Sequence, residues 1–153
     1  MTNKNISLET IKSLRDETGL SLAEIKKALF EADGDIAKAK ELLKSLGVTM
    51  AEKKSSREVK EGVIGSYIHA TMKIGAMIEV LCETDFVARN SEFQELAHDL
   101  SMHVVAMKPS NKEELLDQPY VKDPSINVRD YLNRFVAKLG ENIQIGRFEV
   151  FEI

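Results

Sequence analysis

Cysteine is almost absent from this chain of 153 residues: Cys82 stands alone, so no internal disulfide can form and no paired thiolates are available to a zinc ion. A lone thiol suits a reducing compartment. A surplus of basic charge is missing too. The 21 Lys and Arg are outnumbered by 25 Asp and Glu, and a net charge of −4 has the wrong sign for a surface that neutralises many phosphates. No direct nucleic-acid partner is expected. Nor is there a long apolar run. Met1 to Ser7 holds nothing of signal-peptide length, and no segment approaches the roughly 18 uninterrupted apolar residues of a membrane span. The expectation is a cytoplasmic protein with no membrane partner.

Several chemistries are missing as well. Neither Gly-x-x-x-x-Gly-Lys-Ser/Thr nor Gly-x-Gly-x-x-Gly occurs, so the chain has no phosphate cradle of its own. His98 and His103 lie five residues apart, about 500° of helical rotation, and so do not share a face as a zinc-binding pair would. No metal and no cofactor is expected. His69 and Cys82 fall at opposite ends of the hairpin described below, which argues against a thiolate–imidazole pair and leaves Cys82 as a buried small residue on a strand. Asp85 and His103 could form an acid–base pair for a hydrolase, but no motif places a nucleophile with them. No residue is assigned a catalytic role, and the chain is not expected to be an enzyme.

What is present is helical patterning with punctuation. With only 8 Gly and 3 Pro, 43% hydrophobic and 30% charged residues, the composition is that of a helix-rich globular protein, long enough for a small module and a core of roughly 100 residues. Leu8, Ile11 and Leu14 form a helical stripe that ends at Thr18 and Gly19. Ser21 and Glu24 form a capping box that starts a second helix at Leu22, with Ile25, Ala28, Leu29 and Ala32 on its stripe. It breaks at Gly34. Asp35 caps a third helix carrying Ile36, Ala39, Leu42, Leu43 and Leu46, which Gly47 closes. Three short helices with tight turns must fold back on one another, which gives a three-helix module over 1–49. Polar residues of mixed charge then make a linker over 50–61.

From Val63 the pattern becomes β-favouring. Val63, Ile64, Tyr67 and Ile68 precede Ile74, Met77, Ile78, Val80 and Leu81, and a hairpin turning at Met72 and Lys73 sets Tyr67 opposite Ile78 and Ile64 opposite Leu81. Both of its faces are then apolar. One needs helices, and the other needs further cover. Ser91 with Gln94 predicts a capping box for a helix along Phe93, Leu96, Ala97, Leu100, Val104 and Met107, stopped by Pro109. Another helix follows over Val128–Leu139, with Tyr131, Leu132, Phe135 and Leu139 inward and Gly140 as its stop. Ile143, Ile145, Phe148, Val150, Phe151 and Ile153 make a last strand whose alternation shifts near Gly146, as a bulge causes. The fold class is α+β: a helical module, a linker, and a core over 62–153 with a three-stranded antiparallel sheet packed by helices.

One segment is unusual: Thr84-Asp85-Phe86-Val87, pressed between the hairpin and the next helix. Either Thr84 or Asp85 caps a single turn and Phe86 staples inward, or a rigid corner presents an acid and a ring to a partner.

In several ordered blocks the chain resembles the elongation factor Ts family. They are Leu14-Arg15-Asp16-Glu17-Thr18-Gly19, Lys26-Lys27-Ala28-Leu29, Ala32-Asp33-Gly34-Asp35, Cys82-Glu83-Thr84-Asp85-Phe86-Val87-Ala88-Arg89, Met102-His103-Val104, Gln118-Pro119-Tyr120-Val121-Lys122-Asp123 and Gly140-Glu141-Asn142-Ile143. The resemblance implies that the helical module is similar to ubiquitin-associated domains and docks on elongation factor Tu through Arg15 and Leu22. It implies that Thr84, Asp85, Phe86 and Val87 intrude near that GTPase's Mg²⁺ site and displace it, with His103 supporting them, so that GDP leaves during translation elongation. It also implies a homodimer joined through the sheets, for which the second apolar face supplies a physical reason. The family usually carries a long helical insertion between Pro109 and Leu115, and longer members carry two core subdomains where this chain has room for one. The other function class is a protein-binding adaptor built on the helical module.

Overall fold

The computed structural model describes residues 6–153, so the first five positions of the expected 1–49 module lie outside the described residues. Helix α1 (Leu8–Thr18) starts at Ser7, whose hydroxyl accepts from the Thr10 N–H, and ends at Gly19 with φ 70°. Helix α2 (Leu22–Glu31) opens with both halves of the Ser21/Glu24 capping box in place. Helix α3 (Ile36–Lys54) is capped by Asp35, which accepts from the Lys38 N–H. Leu14, Leu20, Ile25, Leu29, Ala39 and Leu43 close a small core of their own.

Gly47 does not end α3. The helix runs on to Lys54. A helical glycine costs only about 1 kcal/mol, and here Leu46 and Met50 on one side of it pack on the helical core while Ala51 reaches the larger one. Tertiary contact thus carries the helix through the expected stop and into the expected linker.

Strand β1 (Glu61–Ile68) pairs antiparallel with β2 (Ile74–Cys82). Tyr67 faces Ala76 and Ile64 faces Glu79, two places away from the expected register. The turn is longer than two residues. It closes with Met72 N–H donating to the His69 carbonyl, Met72 itself taking φ 61°. Because side chains alternate with period two, a slip of two leaves every residue on its expected face.

The one-turn helix α4 (Asp85–Ala88) is followed by α5 (Ser91–Met107). The expected Ser91 box is absent. Asn90 caps α5 instead, its side-chain oxygen accepting from the Glu92 and Phe93 N–H groups, and Lys108 in the left-handed region ends the helix just before Pro109. A short helix α6 (Lys112–Asp117) and a ribbon of β3 (Pro119–Tyr120) and β4 (Asp123–Asn127) come next. Helix α7 (Val128–Leu139) stops at Gly140 as expected, and β5 (Gln144–Glu152) completes a sheet of order β1-β2-β5. Between Ile78–Phe148 and Val80–Ile145 the register shifts, so Gly146 and Arg147 stand opposite Glu79 alone: the expected bulge.

Helix α5 lies across the sheet, where Ala76, Ile78, Val80 and Cys82 meet Phe93, Leu96, Ala97, Leu100 and Val104. At Gly65 the approach is so close that a Cβ would sit 2.4 Å from the Ala97 carbonyl oxygen. On the opposite face Ile64, Ile68, Met77 and Phe151 stay exposed. The α+β class and the three-stranded antiparallel sheet are those expected from the sequence.

Candidate functional site

The corner after β2 is built from its cap outward. Cys82 is fully buried at the strand's end, and its thiol donates to the Thr84 carbonyl at 3.2 Å. Burial, with the Glu141 carboxylate adding to it, pushes the thiol pKa up to about 11, so Cys82 is an inert thiol at neutral pH. Thr84 is extended (φ −126°, ψ 154°) and its hydroxyl oxygen accepts from the Val87 N–H, which caps the single turn of α4.

One turn of helix gives its four residues four directions, about 100° apart. Ala88 is buried and Val87 packs on the core, so the turn's inward side is already taken. Phe86 points out and is 90% exposed. The staple alternative therefore fails, because the smaller Val87 and Ala88 fill the inward space. Asp85 is exposed too, its carboxylate bonded to the Arg89 Nε at 2.7 Å. Thr84, Asp85, Phe86 and Val87 thus form one corner, with a ring and an acid turned to solvent.

The corner is fastened from a distance. Glu141, just past the end of α7, accepts at 2.9 Å from the Glu83 N–H, at 2.9 Å from the Thr84 N–H, and also from the Thr84 hydroxyl. Glu83 in turn accepts from the Asn142 N–H at 2.7 Å. Neither Glu83 nor Glu141 was singled out by pattern, since no local periodicity announces a bond spanning 58 residues.

His103 does not join this corner. It lies about 18 Å along α5 from the Ser91 end by helical rise and is fully buried. The Val121 N–H donates to its Nδ1 at 3.2 Å, so Nε2 carries the proton and donates to the Gln118 Oε1 at 3.0 Å. Burial holds its pKa below the ordinary value. With no surface of its own, His103 fastens the β3–β4 ribbon to α5. The neighbouring Asp99 accepts from Tyr131 at 3.1 Å, Tyr120 at 3.4 Å and Lys122 at 2.5 Å, and the two tyrosine rings stack at 4.0 Å. No hydrogen bond links His103 with Asp85, so the acid–base pair of a hydrolase does not assemble.

Arg15 and Leu22 are both exposed on the helical module. Where α1 and α3 meet β4 and α7 there is a groove of about 530 Å³, but its lysines are already paired: Lys40 with Glu17 at 2.8 Å and Lys44 with Asp130 at 3.3 Å. Among the described residues no cluster of His, Cys, Asp or Glu could hold a metal ion, and no helix is long and apolar enough to cross a membrane.

Residues 83–153 match the family described as Elongation factor TS. Proteins named Elongation factor Ts are similar over nearly the full chain. That of Synechococcus elongatus is 38% identical, the alignment covering 95% of this chain and 87% of its own length. That of Thermosipho melanesiensis is 39% identical, with 97% and 98% covered, and that of Thermotoga maritima 38%, with 97% and 96% covered. The first alignment runs over 192 positions against 153 residues here, so that relative carries a stretch this chain lacks.

Proposed function

The chain belongs to the elongation factor Ts family of translation elongation factors, and from that premise we propose that it is the guanine nucleotide exchange factor of elongation factor Tu, binding the GDP-loaded GTPase and promoting GDP release. The observation that carries this reading is the 90% exposure of Phe86 on a one-turn helix fastened at its base. A large ring held stiffly in water contributes little to its own fold. It gains most by entering a partner.

Bound GDP is held by backbone donors of the GTPase phosphate loop and by a Mg²⁺ ion bridging phosphate and protein. A ring pushed between two helices of the partner favours the arrangement in which the ligands of that ion are displaced. The affinity for nucleotide then falls by the same coupling free energy with which nucleotide opposes the wedge. Phe86 is the wedge, Asp85 the acid beside it, Thr84 the cap that sets the turn, and Val87 the residue that roots it in the core. No proton transfer and no covalent step is required, so the chain needs no catalytic residue.

Arg15 and Leu22 supply a second grip. On this reading 1–49 is a docking module similar to ubiquitin-associated domains, 62–153 is the core that carries the wedge, and 50–61 joins them. The exposed sheet face of Ile64, Ile68, Met77 and Phe151 is the surface through which two copies of the core pair. The test is direct: elongation factor Tu loaded with a fluorescent GDP releases it faster when this chain is added. Release at the spontaneous rate would leave the chain an adaptor and remove the proposal.

A further inference from the structure

We propose that Glu83 and Glu141 are positioning residues for the Thr84–Val87 corner, a pair of crossed carboxylate clasps that hold the exposed Phe86 ring in its docking orientation before any partner arrives. This rests on the exchange-factor reading above. A helix of one turn does not hold itself together, because the first turn fixes several backbone angles for a single hydrogen bond. The ring at its tip contributes no packing. The orientation must come from the base of the corner.

At that base Glu141 takes three donors at once: the Glu83 and Thr84 N–H groups at 2.9 Å each, and the Thr84 hydroxyl. Glu83 returns the bond by accepting from the Asn142 N–H at 2.7 Å. Hydrogen bonds to a carboxylate are roughly twice as strong as neutral ones, and here each carboxylate fixes the backbone beside the other. The arrangement brings two negative charges to one place, a repulsion offset by the donors and by the Arg57 guanidinium, 3.5 Å from Glu83. The Asn142 side-chain amide donates to the Arg57 carbonyl at 2.7 Å, so the chain leaving α3 is drawn into the same knot. Two turns 58 residues apart thus grip the segment that carries the wedge.

A clasp of this kind acts through the population of the docking-competent corner. If the corner is ordered only a fraction of the time, apparent affinity falls by that fraction, while the rate from the assembled complex is changed much less. The chain contains no tryptophan, so Phe86→Trp creates a single fluorescent reporter at the wedge itself. In the free protein its anisotropy reports local freedom, and the same backgrounds with native Phe86 are assayed for GDP release from elongation factor Tu. Glu141→Ala is expected to loosen the reporter and to raise the concentration giving half-maximal acceleration about tenfold or more, with the limiting rate within about threefold. Glu141→Gln, whose amide oxygen still accepts from both N–H groups, is expected to stay within about threefold of the parent on every readout. Glu83→Ala removes the return bond to the Asn142 N–H while leaving the Thr84 cap in place, and it tests the same clasp should Glu141→Ala fail to fold.

A reporter as rigid in Glu141→Ala and Glu83→Ala as in the parent, with half-maximal concentrations unchanged, overturns the proposal. So does a collapse of the limiting rate with no change in half-maximal concentration. If the reporter loosens while even the parent chain leaves GDP release at the spontaneous rate, the clasp stands and the exchange function fails. If the parent accelerates release and the reporter never loosens, the clasp alone fails.

Discussion

Replacing Phe86 by alanine separates the stability of this protein from its proposed activity. The ring is 90% exposed, so its removal takes almost no buried surface from the fold, and stability should change by no more than about 0.5 kcal/mol. For a chain of this length that is a shift of roughly 1–2 °C in Tm. Phe93, fully buried on the inner face of α5, is the contrast, since the same substitution there should cost about 3–5 kcal/mol. On the proposed reading, the ring's apolar area is instead kept for the partner. Fully burying a phenylalanine side chain stabilises by about 1.5–3 kcal/mol, which corresponds to roughly ten- to a hundredfold in a coupled equilibrium. Phe86→Ala should therefore melt with the parent in calorimetry and accelerate GDP release roughly ten- to a hundredfold less at subsaturating concentration. A variant that exchanges as well as the parent would refute the wedge. A drop in Tm of more than about 5 °C would show that the ring serves its own fold.

Three further outcomes are expected. His103 is held neutral by burial, below its ordinary pKa of 6.5, so the unfolded chain takes up a proton that the native protein resists. Its contribution to stability is complete above that value and is lost as pH falls through 6.5 toward the lower native pKa; urea unfolding between pH 7.5 and 5.5 should show the decline, and His103→Gln should flatten it, an unchanged slope counting against the assignment. Gly65→Ala would set a methyl group 2.4 Å from the Ala97 carbonyl and force α5 off the sheet, for a loss of about 1–3 kcal/mol in urea unfolding; wild-type stability would mean that the strand and helix are not packed so closely. The apolar outer face predicts a dimer in light scattering at micromolar concentration, converted to monomer by Ile64→Glu with Met77→Glu, whereas a monomeric parent removes that pairing.

Most features settled within four residues were legible in the sequence. The Ser21/Glu24 box, the Asp35 cap and the Gly140 stop are local hydrogen-bonding decisions, and each stands where the pattern puts it. Features settled by tertiary contact were not. Gly47 reads as a stop until Met50 and Ala51 find cores to pack against. Two local decisions were missed as well: Asn90 rather than Ser91 caps α5, its side-chain oxygen accepting from the Glu92 and Phe93 N–H groups. The hairpin turn was misplaced because a methionine at positive φ is rarely foreseen. At the site, the Thr84 cap could be read, but the direction of Phe86 could not, since one turn of helix shows no periodicity. The Glu83–Glu141 clasp joins residues too far apart in sequence for any local rule.

The unbroken course of α3 sets a spacing. Its 19 residues make a rod about 28 Å long, rooted at one end among α1 and α2 and tied near the other to Arg57 and Asn142. On the proposed reading, a partner gripped at both Leu22 and Phe86 is measured by a calliper of fixed width, and once one jaw has closed the other finds its target as a neighbour rather than by diffusion. Slipping one extra residue into that rod at Gly47 would turn Met50 and Ala51 by about 100° away from the cores they fill, so the width would be lost together with the packing.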